Sequence, residues 1–307
     1  MSVNNYNTDD YTSQVTKILT KTAIKKSMNK SVIEWLYNKG LPEKAEIISR
    51  CGDHIGITDI NGIAHIVKAD FCRERVCSVC AWRRQSKFMA QMFPILEIIG
   101  KSCEFLLVTL TMRNVALDEL SSAIDTILHA YDKLLKRRKV KNSWLGKVRA
   151  LEVTYNKSTQ TFHPHIHIFV SVDRNYFLNN ELYISHGELS SMWGECLSAG
   201  YEPICDIRKV TEEKHGGVET LKYTFKSTKD HTALEGYYFK LKGRRLVSFS
   251  GNFAKVRKQL ALSDFENVLT DDLPANGVNN YRYVLYKFDA TGGLYNYFKE
   301  MEIEING

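Results

Sequence analysis

No apolar run in this chain approaches the ~20 residues that a bilayer-spanning helix requires. The opening stretch, MSVNNYNTDDYTSQ, is polar and lacks the apolar core of a signal peptide. A cytoplasmic protein without a membrane partner is therefore expected. Internal repeats and low-complexity tracts are absent. So is any G-x-x-x-x-G-K-[ST] segment, which leaves the chain without a P-loop. Histidine is scarce, with nine in 307 residues, so three of them within five positions (FHPHIHIFV, 162–170) call for a reason. Cysteine is odd in number, seven, and unevenly spaced. Cys51, Cys72, Cys77 and Cys80 fall close together, whereas Cys103, Cys196 and Cys205 are scattered and read as core thiols. In a reducing compartment a tight cysteine cluster points to metal rather than to disulfides.

What is present is ordinary for a globular protein: 44% hydrophobic and 25% charged residues, in a length that fits one large domain or two small ones. The formal charge of +7 permits an anionic partner without naming it.

The pattern along the chain divides into three parts. Residues 1–100 are expected to form an N-terminal helical and Cys-rich region. Its first ~40 residues carry helical spacing (VIEWLYNKGL) that stops at Gly40. GITDINGIAHIVKA signals a hairpin, with Asn61-Gly62 between two β-branched runs. AWRRQSKFMAQMF then reads as a helix interrupted at Pro94. Residues 101–235 show strands at 104–112, 147–155, 162–172 and 205–210. Between and after them come helices at 117–139, 188–200 and 218–229. The order β-α-β-β-α-β-α suits an α+β fold: a mainly antiparallel, ferredoxin-like sheet with helices on one face. Residues 236–307 are read as an extension, packed on the core or DNA-binding. Within it, 279–300 is aromatic-rich and strand-forming.

Side chains of a strand alternate faces, so His163, His165 and His167 share a side. At ~3.3–3.4 Å per residue, His165 and His167 lie roughly 7 Å apart along the backbone and can converge on one ion; His163 is about 13 Å from His167, too far to join them. A third ligand must come from elsewhere. If Tyr155 faces Phe162 across the polar loop NKSTQT, Glu152 falls opposite His165 on the same face, with Cβ atoms ~5 Å apart. A one-residue slip would turn Glu152 away. The bland alternative is a solvated polar face. A carboxylate with two imidazoles suits Mn²⁺, Mg²⁺ or Zn²⁺, and ligand type alone does not choose among them.

Cys72-x4-Cys77-x2-Cys80 supplies three thiolates, and a C-x2-C knuckle is a good zinc half-site. The fourth ligand is Cys51 or His54. The Asn-Gly hairpin would return the chain toward the knuckle, so a four-thiolate Zn²⁺ site using Cys51 is the expectation. Buried thiols are the alternative.

In GGVETLKYTFKSTK, Glu219 and Tyr223 lie four apart on one helix face, and Lys226 follows three residues later. A tyrosine between a carboxylate and a lysine has the parts of an activated nucleophile. By themselves such residues more often pack and solvate a helix.

Four stretches in order resemble the rolling-circle replication initiators (Rep proteins) of small plasmids, within the HUH endonuclease superfamily. FLLVTLTMRN is similar to the first motif of the nuclease core, and HPHIHIFV to its His-hydrophobic-His metal motif. ETLKYTFK is similar to the tyrosine motif of the single-tyrosine branch. FCRERVCSVCAWRR resembles the Cys- and Arg-rich segment that precedes the core in the plasmid branch. The likeness spans about 50–260. It implies that Tyr223 attacks a phosphodiester of single-stranded or supercoiled plasmid origin DNA, leaving a 5′-phosphotyrosyl link and a 3′-hydroxyl primer. Glu219 would activate water at termination, Lys226 matches the lysine after the tyrosine, and His165, His167 and Glu152 would hold the catalytic ion. With a DNA substrate, Arg73, Arg75, Arg83 and Arg84 read as phosphate contacts. Lacking a P-loop, the chain would depend on a host helicase, and on a host DNA polymerase to extend the primer. The rival reading is a non-catalytic zinc DNA-binding regulator of replication or copy number. It leaves Glu152, His165, His167 and Tyr223 without a role.

Overall fold

A computed structural model describes residues 8–210, 228, 230–271 and 280–304. Its elements, in chain order, begin with α1 (Thr8–Ser27), α2 (Lys30–Asn38), α3 (Pro42–Ser49), β1 (His54–Ile60), β2 (Ile63–Ala69) and α4 (Ser78–Ile99). They continue with β3 (Cys103–Thr111), α5 (Leu120–Lys136), α6 (Arg138–Ser143), β4 (Gly146–Asn156), β5 (Thr161–Asp173), α7 (His186–Leu197) and β6 (Cys205–Lys209). Last come α8 (His231–Glu235), running into a π-turn at Gly236–Lys240, then β7 (Val247–Gly251), α9 (Asn252–Gln259), β8 (Asn280–Asp289) and β9 (Leu294–Glu304). The expected helix at 218–229 falls outside the described residues, apart from Thr228. No helix among the described residues is long and apolar enough to cross a membrane.

The chain divides into two compact units. One takes the described residues of Met1–Lys87, Lys226–Lys229 and Ser263–Gly307; the other takes those of Phe88–Phe225 and Asp230–Leu262.

The first unit holds a four-stranded antiparallel sheet of order β2-β1-β8-β9. Asn61 (φ 56°) and Gly62 (φ 80°) close the β1–β2 hairpin. Positive φ at both central residues is what the two-residue turn demands, and Asn-Gly provides it. Apolar residues Val32, Trp35 and Leu36 repeat at helical spacing on α2 and are buried. Sequence pattern alone left 279–300 unplaced. Residues 280–304 form the β8–β9 hairpin, and β8 pairs with β1 more than two hundred residues earlier.

The second unit holds a five-stranded antiparallel sheet of order β6-β3-β5-β4-β7. Its first four strands run β3-α5-β4-β5-α7-β6 in sequence, which is the ferredoxin-like arrangement expected. Helices α5 and α7 pack on each other, and α5 lies on β5. Along β5, Ile166, Ile168, Val170 and Val172 are buried, alternating with His165 and His167 on the opposite face. α7 is capped by Ser185, whose side chain forms a capping box with Glu188; that two-way satisfaction of N-terminal amides sets its start. One expectation fails here. α4 is not interrupted at Pro94 but continues through it to Ile99. Proline removes one backbone donor, yet Met92, Ile95 and Ile99 are all buried around it and hold the helical path.

Candidate active site and metal centres

Glu152 lies directly opposite His165, and Tyr155 opposite Phe162, so the β4–β5 register is the one inferred from the hairpin. The consequence is a cluster in which the ligand atoms of Glu152, His165 and His167 lie within 4.8 Å of one another. Glu152 Oε2 is 3.2 Å from Nε2 of His165 and 3.2 Å from Nε2 of His167. The two imidazoles stand nearly perpendicular, at 88° with centroids 4.8 Å apart, so both can present a nitrogen to one point.

The opposite ring nitrogens are engaged. His165 Nδ1 lies 3.1 Å from the carbonyl oxygen of His163, and His167 Nδ1 lies 3.1 Å from Thr109 Oγ1. A carbonyl can only accept, so Nδ1 of His165 carries the proton and Nε2 offers its lone pair; the Thr109 hydroxyl can do the same for His167. Thr109 is positioned by the β3–β5 pairing, in which it faces His167. His163 is turned away to Asn114 Oδ1 at 2.7 Å, in keeping with its exclusion on distance. Burial alone would push the Glu152 carboxyl up. Hydrogen bonds from His165 and His167, donated when Nε2 as well as Nδ1 carries a proton, overcome it and hold the group well below the usual carboxylate range; a cation would take the place of those Nε2 protons. The donor set, one carboxylate oxygen and two imidazole nitrogens converging from a rigid sheet, fits a divalent cation.

Two neighbours escaped sequence reasoning. Thr109 sits in an ordinary β-branched strand run and carries no local signal; only the pairing with His167 reveals it. Tyr237, in the π-turn after α8, is buried close enough to Glu152 for that charge to act on it. Burial first, and then Glu152, push its phenol up to about 12, against a backbone hydrogen bond with Tyr155. A glycine precedes it for a steric reason: a Cβ on Gly236 would come within 2.5 Å of the Phe162 ring. Tyr223, Glu219 and Lys226 lie outside the described residues.

In the first unit, the Sγ atoms of Cys51, Cys72, Cys77 and Cys80 lie within 4.8 Å of one another. Neighbouring sulfurs are 3.5 Å apart for Cys77–Cys51 and 3.6 Å for Cys51–Cys80 and Cys72–Cys80. Tetrahedral thiolates around zinc, with Zn–S near 2.3 Å, sit about 3.8 Å apart, whereas a disulfide needs ~2.05 Å. The spacing thus fits a tetrahedral metal, and all seven cysteines are free thiols. Amide hydrogens point at the sulfurs: Cys72 N to Cys51 Sγ, Arg73 N to Cys80 Sγ, and Asn29 Nδ2 to Cys77 Sγ. The sulfurs of Cys72, Cys77 and Cys80, and then burial, push the Cys51 thiol well above its ordinary value. A cation would relieve that conflict by stabilising the thiolates together. His54, the other candidate fourth ligand, is instead paired with Asp70 at 2.6 Å.

The arginines around this cluster divide. Arg73 is exposed and Arg75 half-buried. Arg83 and Arg84 are only 5% and 3% exposed, which corrects the expectation that they contact phosphate. Arg83 pairs with Asp271 at 2.7 Å, and Arg84 with Glu266 at 2.8 Å. Arg84 also donates to the carbonyls of Arg73 and Glu74. Their charges are used inside the unit, where they fasten 263–271 to the Cys segment. Trp193 is fully buried and donates to the Thr111 carbonyl, a packing role.

Comparison with known proteins adds an independent line. The family described as "Replication protein" matches residues 64–295. A "Protein rep" of Streptococcus pneumoniae serotype 2 (strain D39 / NCTC 7466) is 34% identical over 244 residues, covering 75% of this chain and 75% of the relative. A "Protein rep" of Bacillus amyloliquefaciens is 33% identical over 256 residues, covering 73% of this chain and 75% of the relative. One from Staphylococcus aureus is 32% identical over 166 residues, covering 53% of this chain and 72% of the relative. No solved structure matches.

Proposed function

The chain belongs to the replication protein family, that of the plasmid rolling-circle initiators, and from that premise we propose that it nicks and rejoins origin DNA through Tyr223. The observation that carries this reading is the convergence of Glu152, His165 and His167 on one point of the β4–β5 surface. A non-catalytic regulator gives that convergence no role.

The Tyr223 oxygen attacks the scissile phosphorus, and the bond to the 3′-oxygen breaks. The phosphate becomes linked to tyrosine at the 5′ side, and the released 3′-hydroxyl serves as primer. An aryl phosphodiester keeps the bond energy for rejoining. What a divalent cation, Mn²⁺ or Mg²⁺, supplies when held by Glu152, His165 and His167 is polarisation of the phosphoryl oxygen. Thr109 and the His163 carbonyl keep both imidazoles in the tautomer that such binding requires. Lys226 favours phenolate at Tyr223 and steadies the phosphate. Glu219 takes a proton from water at termination, so that hydrolysis frees the protein. Zn²⁺ on the four cysteines has a structural role. Arg73 and Arg75 are assigned to the DNA backbone. Strand separation and primer extension fall to a host helicase and polymerase.

The test is incubation of the protein with single-stranded or supercoiled origin DNA and Mn²⁺, followed by detergent gels. A covalent protein–DNA adduct is expected. Tyr223→Phe abolishes it, and Glu219→Ala still nicks but accumulates it. Nicking that persists in Tyr223→Phe refutes the assignment.

A further inference from the structure

The four-stranded sheet of the first unit has a face that the nicking reading does not use. Cross-strand pairing puts Lys68, Gly56, Leu285 and Lys299 in one row, and His54 opposite Lys287 in the next. A Cβ on Gly56 would meet the Tyr283 ring at 2.6 Å and Lys68 Cβ at 3.3 Å, so these side chains share that face. Register slips between Leu285 and Tyr286, which makes Phe298 the unpaired extra residue of β9. A bulge of this kind re-aims a side chain. Phe298 turns to the side of His54, with ring centroids 5.8 Å apart. The ammonium groups of Lys287 and Lys299 stand 5.6 and 5.5 Å from its centroid. The ring remains 46% exposed. Beside it, Val67, Tyr283 and Leu285 with Met301 form a packed apolar floor. Among the described residues, no ion pair occupies Lys68, Lys287 or Lys299, and Asp70 is already taken by His54.

We propose that this face binds single-stranded DNA: a base stacks on Phe298 while neighbouring phosphates rest on Lys68, Lys287 and Lys299. The chemistry selects the ligand. An acidic peptide would use the lysines but leave the ring in water. A bilayer would need a broader apolar patch than one exposed ring on a basic sheet. A single strand offers both a negative backbone and flat bases, and aromatic platforms flanked by cations accept any base. Lys68 and Lys299 lie three strand spacings apart, about 14 Å, the span of a few nucleotides. The lysines stand near the outer limit of a cation–π contact, so little holds them over the ring when a base arrives.

This inference stands apart from the metal site, and its test reads binding without cleavage. The full-length protein is titrated, with no added Mn²⁺ or Mg²⁺, into a fluorescein-labelled oligo(dT) that lacks any origin sequence, over a series of KCl concentrations. Phe298→Leu should weaken binding about 5- to 100-fold, and Phe298→Tyr should restore it. Neither change should alter the affinity for heparin, a polyanion without bases. Changing Lys68, Lys287 and Lys299 together to Gln should lower the slope of log affinity against log salt by about 2. Photocrosslinking with 5-iododeoxyuridine should label the peptide containing Phe298. The proposal is overturned if Phe298→Leu binds like the parent, if heparin loses as much, or if crosslinks fall only elsewhere. Tighter binding of oligo(rU), or Phe298-dependent binding to phosphatidylglycerol vesicles, would equally overturn the assignment to DNA.

Discussion

Replacing Thr109 by Val should loosen the Glu152–His165–His167 centre without touching a ligand. The change nearly conserves volume, so it leaves no cavity, and β-branched residues suit the strand. What it removes is the oxygen 3.1 Å from His167 Nδ1. With that contact present, Nδ1 carries the proton and Nε2 faces Glu152 Oε2 at 3.2 Å. Without it, the ring can rotate and the other tautomer becomes accessible. Loss of an outer-shell partner of this kind typically weakens metal binding 10- to 100-fold, or about 1.4–2.7 kcal/mol. Manganese binding followed by calorimetry or by electron paramagnetic resonance of free Mn²⁺ measures it directly, independent of nicking. Thr109→Ser, which keeps the hydroxyl, should bind close to the parent. Equal Mn²⁺ affinity for Thr109→Val and the parent, with both folded by circular dichroism, would refute the orienting role and the two-imidazole geometry behind it.

Three further outcomes are expected. Native mass spectrometry should find one zinc per chain; Cys80→Ser should lose it and unfold the first unit at lower temperature, whereas Cys196→Ser should retain it. Arg83→Ala should destabilise the protein by about 3 kcal/mol or more, because it strands Asp271 beside a buried site; thermal melts should show this, while Arg73→Ala should leave the melting temperature unchanged and weaken DNA binding. Tyr237→Phe should preserve the covalent adduct that Tyr223→Phe abolishes, because the Tyr237 phenol is buried, raised in pKa and tied to the Tyr155 backbone; loss of the adduct in Tyr237→Phe would move the nucleophile.

Much of the geometry of the two candidate metal sites was legible in the sequence because it is carried by short-range regularities. The period of two in a strand put His165 and His167 on one side, and a short loop closed the hairpin that set Glu152 opposite His165. The Asn61-Gly62 turn likewise announced the β1–β2 hairpin, since few residues adopt positive φ cheaply. Cysteine spacing located three thiols of the cluster, and the hairpin indicated the fourth.

Other features depend on contacts between segments far apart in the chain, for which a linear pattern holds no signal. Arg83 and Arg84 look like surface cations in sequence, yet Asp271 and Glu266, about 180 positions later, turn them inward. Thr109 becomes an orienting group only because β3 lies beside β5. Pro94 would end an isolated helix, but burial of Met92, Ile95 and Ile99 carries α4 past it. The basic, aromatic face around Phe298 exists only because β8 joins β1 and a bulge turns one ring outward. Local geometry therefore chose the ligands. Long-range packing decided which charges remain free to meet a partner, because desolvation and ion pairing are settled by neighbours that the linear order does not reveal.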